Sequence, residues 1–362
     1  MTNTTAVQNP IDEARVEAFA GQLITDLAGA ATTLMTVLGD RLGLFAAMTG
    51  AGPLTPEALS WGTGLNPRLV TEWLAAQTVN GHVVHDPARG TYELPMEHAL
   101  ALSVVDSPAY VVGAAEIITG QFQTLDRLER AFRGDGGVEY GDYPAGLFHG
   151  IERFFRTAYV NELAKTWFPA VPGLVGKLEA GARVADVGCG HGVATRLVGE
   201  LWPASTVVGF DRHEASVAVA RAKAVEAGAG GNVSFRVADA TAFGPGPFDV
   251  VVFFDALHDL GDPPAALRRA YETLTPGGIV VAVEPGSTDN LTDGIGDPVA
   301  RLNWAASTAL CTPGSLSQPG AYGLGTQGGP AKRIDLLTAA GFTDARLAAD
   351  TGFNLVLTAV KA

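Results

Sequence analysis

Three carboxylates mark one glycine-rich loop and the two apolar runs after it in this 362-residue chain. An apolar run, Arg183–Val187, leads into Asp186-Val187-Gly188-Cys189-Gly190-His191-Gly192; the next two runs end at Asp211 and at Asp239-Ala240. Glycine lets a backbone turn tightly and approach a ligand closely. A carboxylate at the tip of a second strand can accept both hydroxyls of a ribose. Asp239 and the N–H of Ala240 suit the amino group and a ring nitrogen of an adenine, a small polar set that orients a ligand in an apolar pocket. The loop reads GxGxG, whereas a dinucleotide fingerprint would need glycine where Val193 stands. Each piece has a plainer reading, the loop as a tight turn and Asp211 as a cap for a helix starting near Glu214. The set in order is more specific than any member.

Farther on, Phe248–Phe254 runs into Asp255-Ala256-Leu257-His258-Asp259. An imidazole with the usual pKa of ~6.5 can take an alcohol or phenol proton near neutral pH. His258 can equally pack at the strand end or cap the next helix. His149 lies in an aromatic-rich stretch that also holds Tyr159 and Trp167, as a substrate contact or as a satisfied core residue. Trp304 and Tyr322, in the long uncharged run Leu302–Ala331, are pocket candidates, and that run reads as a loop over a pocket. His191 and His213 are expected to face solvent. No histidine pair has zinc-ligand spacing, so no metal is expected.

These residues need elements to hold them. Short apolar runs at Arg183–Val187, Thr206–Phe210, Val233–Val237, Phe248–Phe253 and Gly278–Val283 alternate with helical patterns, which predicts a mostly parallel sheet covered on both faces. Residues 106–180 read as helices, broken at Tyr140–Pro144. Upstream, Leu34, Leu38, Leu42 and Phe45 repeat at helical spacing. Thr55-Pro56 and Asn66-Pro67 each place a cap before a proline that starts a helix. Asp86-Pro87-Ala88-Arg89-Gly90 joins His82–His85 to Thr91–Leu94 as a wing. Helix, turn, helix and wing together predict a winged helix.

Hydrophobic residues make up 47 % and charged residues 17 %, enough for a large core and too few charges for wholesale disorder. A net charge of −14 repels phosphate backbones and anionic membranes, which favours a small-molecule acceptor over nucleic acid. Two cysteines cannot build a disulfide framework. The first ten residues lack a basic and apolar leader pattern, and the uncharged stretch Leu27–Gly39 is too short to span a bilayer. A cytoplasmic location is the expectation.

Residues 180–285 resemble class I S-adenosylmethionine (SAM) dependent methyltransferases. Asp186–Gly192 is similar to their first motif, Asp211 to their ribose acid, Asp239-Ala240 to their adenine-edge pair, and Leu274–Gly278 to the turn before their fifth strand. Strands near Thr343–Ala348 and Asn354–Val360 fit the family's closing hairpin. In detail the chain resembles actinobacterial members with an N-terminal winged helix, notably at Ala305–Gln318 and Phe353–Leu357. Leu257–Asp262 is similar to the segment that carries the general base in caffeate-type plant O-methyltransferases.

The resemblance implies an α/β, Rossmann-like, seven-stranded domain at 181–362 with a substrate-covering insertion near 286–331. It implies a helical winged-helix dimerisation domain at 1–105 and pocket helices at 106–180. SAM would be held by Asp186, Gly188, Cys189, Gly190, Asp211, Arg212, Asp239, Ala240, Phe254 and Asp255. His258 would be the base and Asp259 its orienting partner, with His149, Tyr159, Trp304 and Tyr322 toward the substrate. The expected activity is methyl transfer to O, then N or C, of a small molecule in specialised metabolism, by a homodimer. A DNA-binding regulator with a methyltransferase-like ligand domain is the competing class, and a SAM binder that does not methylate is another. Residues 31–105 carry three arginines against six carboxylates, and the candidate recognition segment offers only Arg68.

Overall fold

The computed structural model describes residues 11–325 and 328–362; the reading of the first ten residues, and positions 326–327 of the uncharged run, lie outside them. The chain divides into two compact units between Val104 and Val105.

In the first unit, α1 (Glu13–Arg41) is followed by α2 (Leu44–Met48), α3 (Pro56–Thr63) and α4 (Pro67–Val79). Thr55 caps the Ala58 N–H and Asn66 caps the N–H groups of Arg68 and Leu69, each just before the proline of the first turn. The wing is a hairpin of β1 (Val84–Asp86) and β2 (Thr91–Glu93), and α5 (Met96–Leu102) follows it. Trp73 packs edge-on to Phe45 at 5.0 Å in the core and donates Nε1–H to the Met35 carbonyl. Leu34, Leu38 and Leu42, whose spacing revealed the helix, are exposed, so only Phe45 of that series belongs to the core.

In the second unit, α6 (Val112–Gln123), α7 (Leu125–Phe132), α8 (Ala145–Glu162) and α9 (Leu174–Glu179) precede a seven-stranded sheet. A 3-10 turn at Tyr140–Asp142 makes the expected break. The sheet alternates with helices: β3 (Arg183–Val187), α10 (Val193–Leu201), β4 (Thr206–Asp211), α11 (Glu214–Glu226), β5 (Val233–Val237), β6 (Phe248–Phe254), α12 (Pro263–Thr273) and β7 (Leu274–Pro285). After α13 (Pro298–Ala306), α14 (Thr312–Leu316) and α15 (Pro330–Ala339), the hairpin β8 (Thr343–Asp350) and β9 (Asn354–Val360) completes it. The order β5-β4-β3-β6-β7-β9-β8 is parallel except at β9, which runs antiparallel to β7 and β8. Successive residues of β6 feed two cores, Val250, Val252 and Phe254 one, Val251 and Phe253 the other. That two-sided burial is why the strand reads as a continuous apolar run.

The chain reverses its direction of sheet growth between β3 and β6, which opens a crevice beyond their carboxyl ends. Leu302–Ala331 is not the loop expected. Its first half is helical through α13, the π-helical turn Ser307–Cys311 and α14. Ala305, Ala306, Ala309 and Leu310 favour helix, and the Ala309 carbonyl that Pro313 cannot serve accepts from the Tyr143 hydroxyl at 2.9 Å. No described helix is long and apolar enough to cross a membrane.

Helices α6 and α8 cross on a pair of glycines. A Cβ on Gly150 would meet Glu116 Cβ and the Gly113 carbonyl at 2.8 Å, and the Ile117 nitrogen at 2.9 Å. Two of these are backbone atoms that cannot step aside. Gly150→Ala should therefore destabilise the protein by roughly 1–3 kcal/mol, read by chemical denaturation. An unchanged midpoint would show that the crossing is loose.

Candidate active site

A cavity of about 770 Å³ opens at the crevice, bounded by the tips of β3, β4 and β6 and by α6 and α8. Its floor starts at the glycine loop. Gly188 and Cys189 donate backbone N–H bonds to the Phe210 carbonyl at 2.8 and 3.0 Å, which folds the loop onto β4. Gly188 has φ +83°, and a Cβ there would press on Ala256 Cβ at 2.5 Å. Gly190 has φ +50° with nothing within 4 Å of where a Cβ would be, so its backbone is bare toward the cavity.

The carboxylates stand around this loop. Asp211 accepts from the N–H groups of Gly190 and His213, both at 2.8 Å, so it ties the loop to its own strand rather than capping α11. Burial raises its pKa against those two donors. Asp186 is 1 % exposed; Oδ2 accepts from the Thr195 hydroxyl at 2.6 Å, and Oδ1 has no partner. Burial pushes it up to about 7, with the Thr195 bond opposing and the Asp211 charge adding. Arg212, Asp239 and Ala240 also line the cavity, and the Thr241 N–H and hydroxyl bond Asp239 Oδ1 at 2.9 and 2.7 Å. Cys189 lines it with its thiol buried.

At the tip of β6, Phe254 stacks on Phe168, and Asp255 accepts from the Tyr159 hydroxyl at 3.0 Å and Asn354 Nδ2 at 3.3 Å. Burial and then Glu284 push Asp255 up to about 8. Tyr159 thus faces the cavity as a fixed part of its wall. His258, in the turn Leu257–Asp259, is 2 % exposed. Its Nδ1 lies 2.9 Å from Glu284 Oε2, and Glu284 also accepts from the Leu257 N–H at 3.0 Å and from Arg333 Nε at 3.4 Å. Burial works against the Glu284 anion, but His258 and Arg333 outweigh it and hold its pKa below the usual value. An ionised partner only accepts, so Nδ1 carries the proton and Nε2 presents its lone pair when the ring is neutral. Burial disfavours the charged ring, yet Asp259 and Glu284 raise its pKa well above the ordinary value.

The remaining sequence candidates fall elsewhere. His149 bonds Glu116 at 2.9 Å, and with Trp304 and Tyr322 it lies off the cavity wall. His191 does not face solvent: its side chain is 15 % exposed, with Nδ1 2.9 Å from Glu152. His213 is half-buried, edge-on to Tyr140 at 5.6 Å. Sequence reading missed Glu284, Arg333, Cys311 and Glu152. Glu284 alone left a signal, a charge ending the apolar run Ile279–Val283.

Glu152 links α8 to the loop and to α11, bonding His191 and, at 2.5 Å, Lys223. Burial opposes its charge, but the bonds to His191 and Lys223 prevail and hold its pKa at about 2, below the ordinary 4.5. A lowered carboxylate pKa contributes stability that is fully present above the unfolded value and lost as pH falls through the folded one. The stability advantage of wild type over Glu152→Gln should therefore hold above pH 4.5 and shrink toward pH 2. Urea titrations across that range test it; a gap independent of pH would contradict the linkage.

Comparison with known proteins agrees with this geometry. Residues 178–314 match a methyltransferase domain, and residues 30–104 match an Rv2258c-like winged HTH domain. The chain is 36 % identical over 110 residues to trans-aconitate 2-methyltransferase of Streptomyces avermitilis, covering 30 % of this chain and 41 % of that one. It is 35 % identical over 124 residues to a ubiquinone biosynthesis O-methyltransferase of Pseudomonas fluorescens, covering 33 % and 50 %. The chain thus spans half or less of the curated relatives it matches. Among solved structures, human N-acetylserotonin methyltransferase in complex with SAM has TM-score 0.71 at 18 % identity over 100 % of both chains. An O-methyltransferase family protein from Burkholderia thailandensis has TM-score 0.68 at 16 % identity, covering 98 % and 99 %. At such identities the likeness is one of fold.

Proposed function

We propose that this chain, a methyltransferase domain preceded by an Rv2258c-like winged HTH domain, transfers the methyl group of SAM to a small molecule, with oxygen preferred over nitrogen or carbon as acceptor. The observation that carries the reading is that one cavity holds both a glycine-and-carboxylate cradle and His258. The cradle fits SAM. Gly190 leaves its backbone bare, the orphaned Asp186 Oδ1 wants a donor such as an ammonium, and Asp211 and Asp239 offer acceptors to ribose and adenine. SAM supplies an electrophilic methyl carbon; the protein aligns the acceptor, excludes water and takes the proton.

His258 takes that proton on Nε2. Glu284 and Asp259 stabilise the imidazolium that results, which makes the ring a stronger base than a free histidine. The acceptor chamber is apolar, with Ile117, Ile118 and Phe148 in its walls. Residues 106–180 serve as pocket helices and 286–331 as a cover, in a cytoplasmic enzyme of specialised metabolism.

Two variants separate binding from chemistry. Asp211→Ala should weaken SAM by roughly 1.5–3 kcal/mol for each charge-assisted hydrogen bond lost, seen by calorimetry, while Asp211→Asn keeps the side chain's shape as a control. His258→Gln should leave SAM affinity nearly intact and lower turnover of an O–H acceptor by ~10²–10⁴. Unchanged SAM affinity in Asp211→Ala, or stabilisation by NAD with none by SAM, would overturn the cofactor assignment. Near-normal turnover in His258→Gln would make the histidine structural.

The winged helix serves to pair two copies rather than to read DNA. Its α4 carries one basic residue, Arg68, which is paired with Glu72. Along α1, Val16, Phe19, Leu23, Leu27, Leu34 and Leu38 are each 41–66 % exposed, an apolar stripe a second copy can cover. Light scattering should find a dimer, and Phe19→Asp with Leu27→Asp should leave a folded monomer. A monomeric wild type, or sequence-specific DNA binding at physiological salt, would favour the regulator instead.

A further inference from the structure

On the side of His258 away from Glu284, Asp259 and a second donor that base catalysis leaves unused converge on the ring. Asp259 is next in the turn, and Cys311 ends the π-helical segment that follows α13. One ligating atom from each of His258, Asp259 and Cys311 lies within 4.8 Å of the other two. His258 Nε2 and Asp259 Oδ1 are 3.2 Å apart, an ion-pair distance, and that oxygen is buried. A metal cation replacing the imidazolium proton would meet nitrogen, oxygen and sulfur donors already converged. With zinc bonds of ~2.0–2.1 Å to nitrogen, ~2.0–2.2 Å to oxygen and ~2.3 Å to sulfur, neighbouring donors of a tetrahedral site stand roughly 3.5 Å apart.

We propose that His258 Nε2, Asp259 and Cys311 Sγ form a site for a thiophilic divalent cation, zinc before others. A nitrogen, oxygen and sulfur set selects zinc over magnesium or calcium. All three residues line the cavity, so a fourth position is open to water or an acceptor oxygen. Glu284 on Nδ1 is the carboxylate partner that fixes the tautomer presenting Nε2. On loading, the thiol and the imidazolium Nε2 each release a proton to solvent, and the thiolate, the carboxylate and the neutral ring share the cation. The lone pair that binds zinc is the one an acceptor proton would use. Zinc and base catalysis therefore exclude each other at His258, and zinc is a reversible brake. Metal binding itself does not depend on methyl transfer; the brake rests on the methyltransferase reading.

The test uses the full-length protein, stripped with a chelator and titrated with cobalt(II) as a spectroscopic substitute. A single cobalt per chain is expected, with a thiolate-to-cobalt charge-transfer band in the near ultraviolet that zinc abolishes. Cys311→Ser should lose the band. Asp259→Asn should weaken zinc by more than the roughly 10–100-fold that losing an outer-shell partner costs. Thermal melts check that both variants fold; should either fail, X-ray absorption of the zinc-loaded wild type must show one sulfur among nitrogen and oxygen ligands. No band in wild type, a band that survives Cys311→Ser, or a sulfur-free zinc shell would each overturn the proposal. Methyl transfer by the stripped protein is assayed separately, so that failure there strikes the enzyme reading and leaves the cobalt result standing.

Discussion

The site depends on one buried anion. Glu284 is 0 % exposed at the tip of β7, where an unpaired carboxylate would be prohibitively costly. It is tolerated because two elements bring three donors to it: the Leu257 N–H and His258 Nδ1 from the turn after β6, and Arg333 from α15. Those donors are committed in return. Arg333 is itself 0 % exposed, and the imidazole cannot rotate without stranding a charge. The ring's tautomer, its orientation and the path of the turn after β6 are therefore settled by a group that need not touch any ligand.

The two sides of the cavity are built on opposite principles. The strand-tip side is polar and acidic, with Asp186, Asp211, Asp239 and Asp255 gathered near the glycine loop and desolvation raising three of them. The helical side, α6 and α8, is apolar and held by close backbone approach at Gly113 and Gly150. A ligand with a cation and several donors belongs on the first side, and an apolar acceptor on the second. Glu152 joins the two, since it leaves α8 to hold both His191 of the loop and Lys223 of α11.

The sheet was legible in the sequence because its signals are local. Apolar runs ending in Asp or Gly mark strands β3 to β6, and Thr55-Pro56 and Asn66-Pro67 mark helix starts. The floor of the site was legible for the same reason, since each strand tip carries its own acid. What stayed hidden depends on tertiary placement. Arg333 and Cys311 reach the site from segments far along the chain, and no spacing announces them. Helical periodicity reports that a face is apolar but not what covers it, which is why Leu34, Leu38 and Leu42 repeat at helical spacing and yet are exposed. His149, Trp304 and Tyr322 were chosen by residue type within promising segments; helix phase turned His149 and Trp304 off the cavity wall, and Tyr322 lies off it in a loop. The glycines of Leu302–Ala331 masked the alanine and leucine content that makes its first half helical.

Glycine illustrates how one residue type carries opposite information. At Gly188 the need is conformational and steric together, a positive φ and no room before Ala256. At Gly190 the backbone conformation is similar but the space beside it is open, so what the missing side chain provides is access. At Gly150 the backbone is ordinary helix and only the neighbouring helix forbids a Cβ. A motif search finds the first two because they share a loop with Asp186. It cannot find the third, although the crossing of α6 and α8 sets the shape of the apolar chamber as surely as the loop sets its polar floor. The shape of the apolar side is thus written in helix packing, whereas that of the polar side is written in sequence.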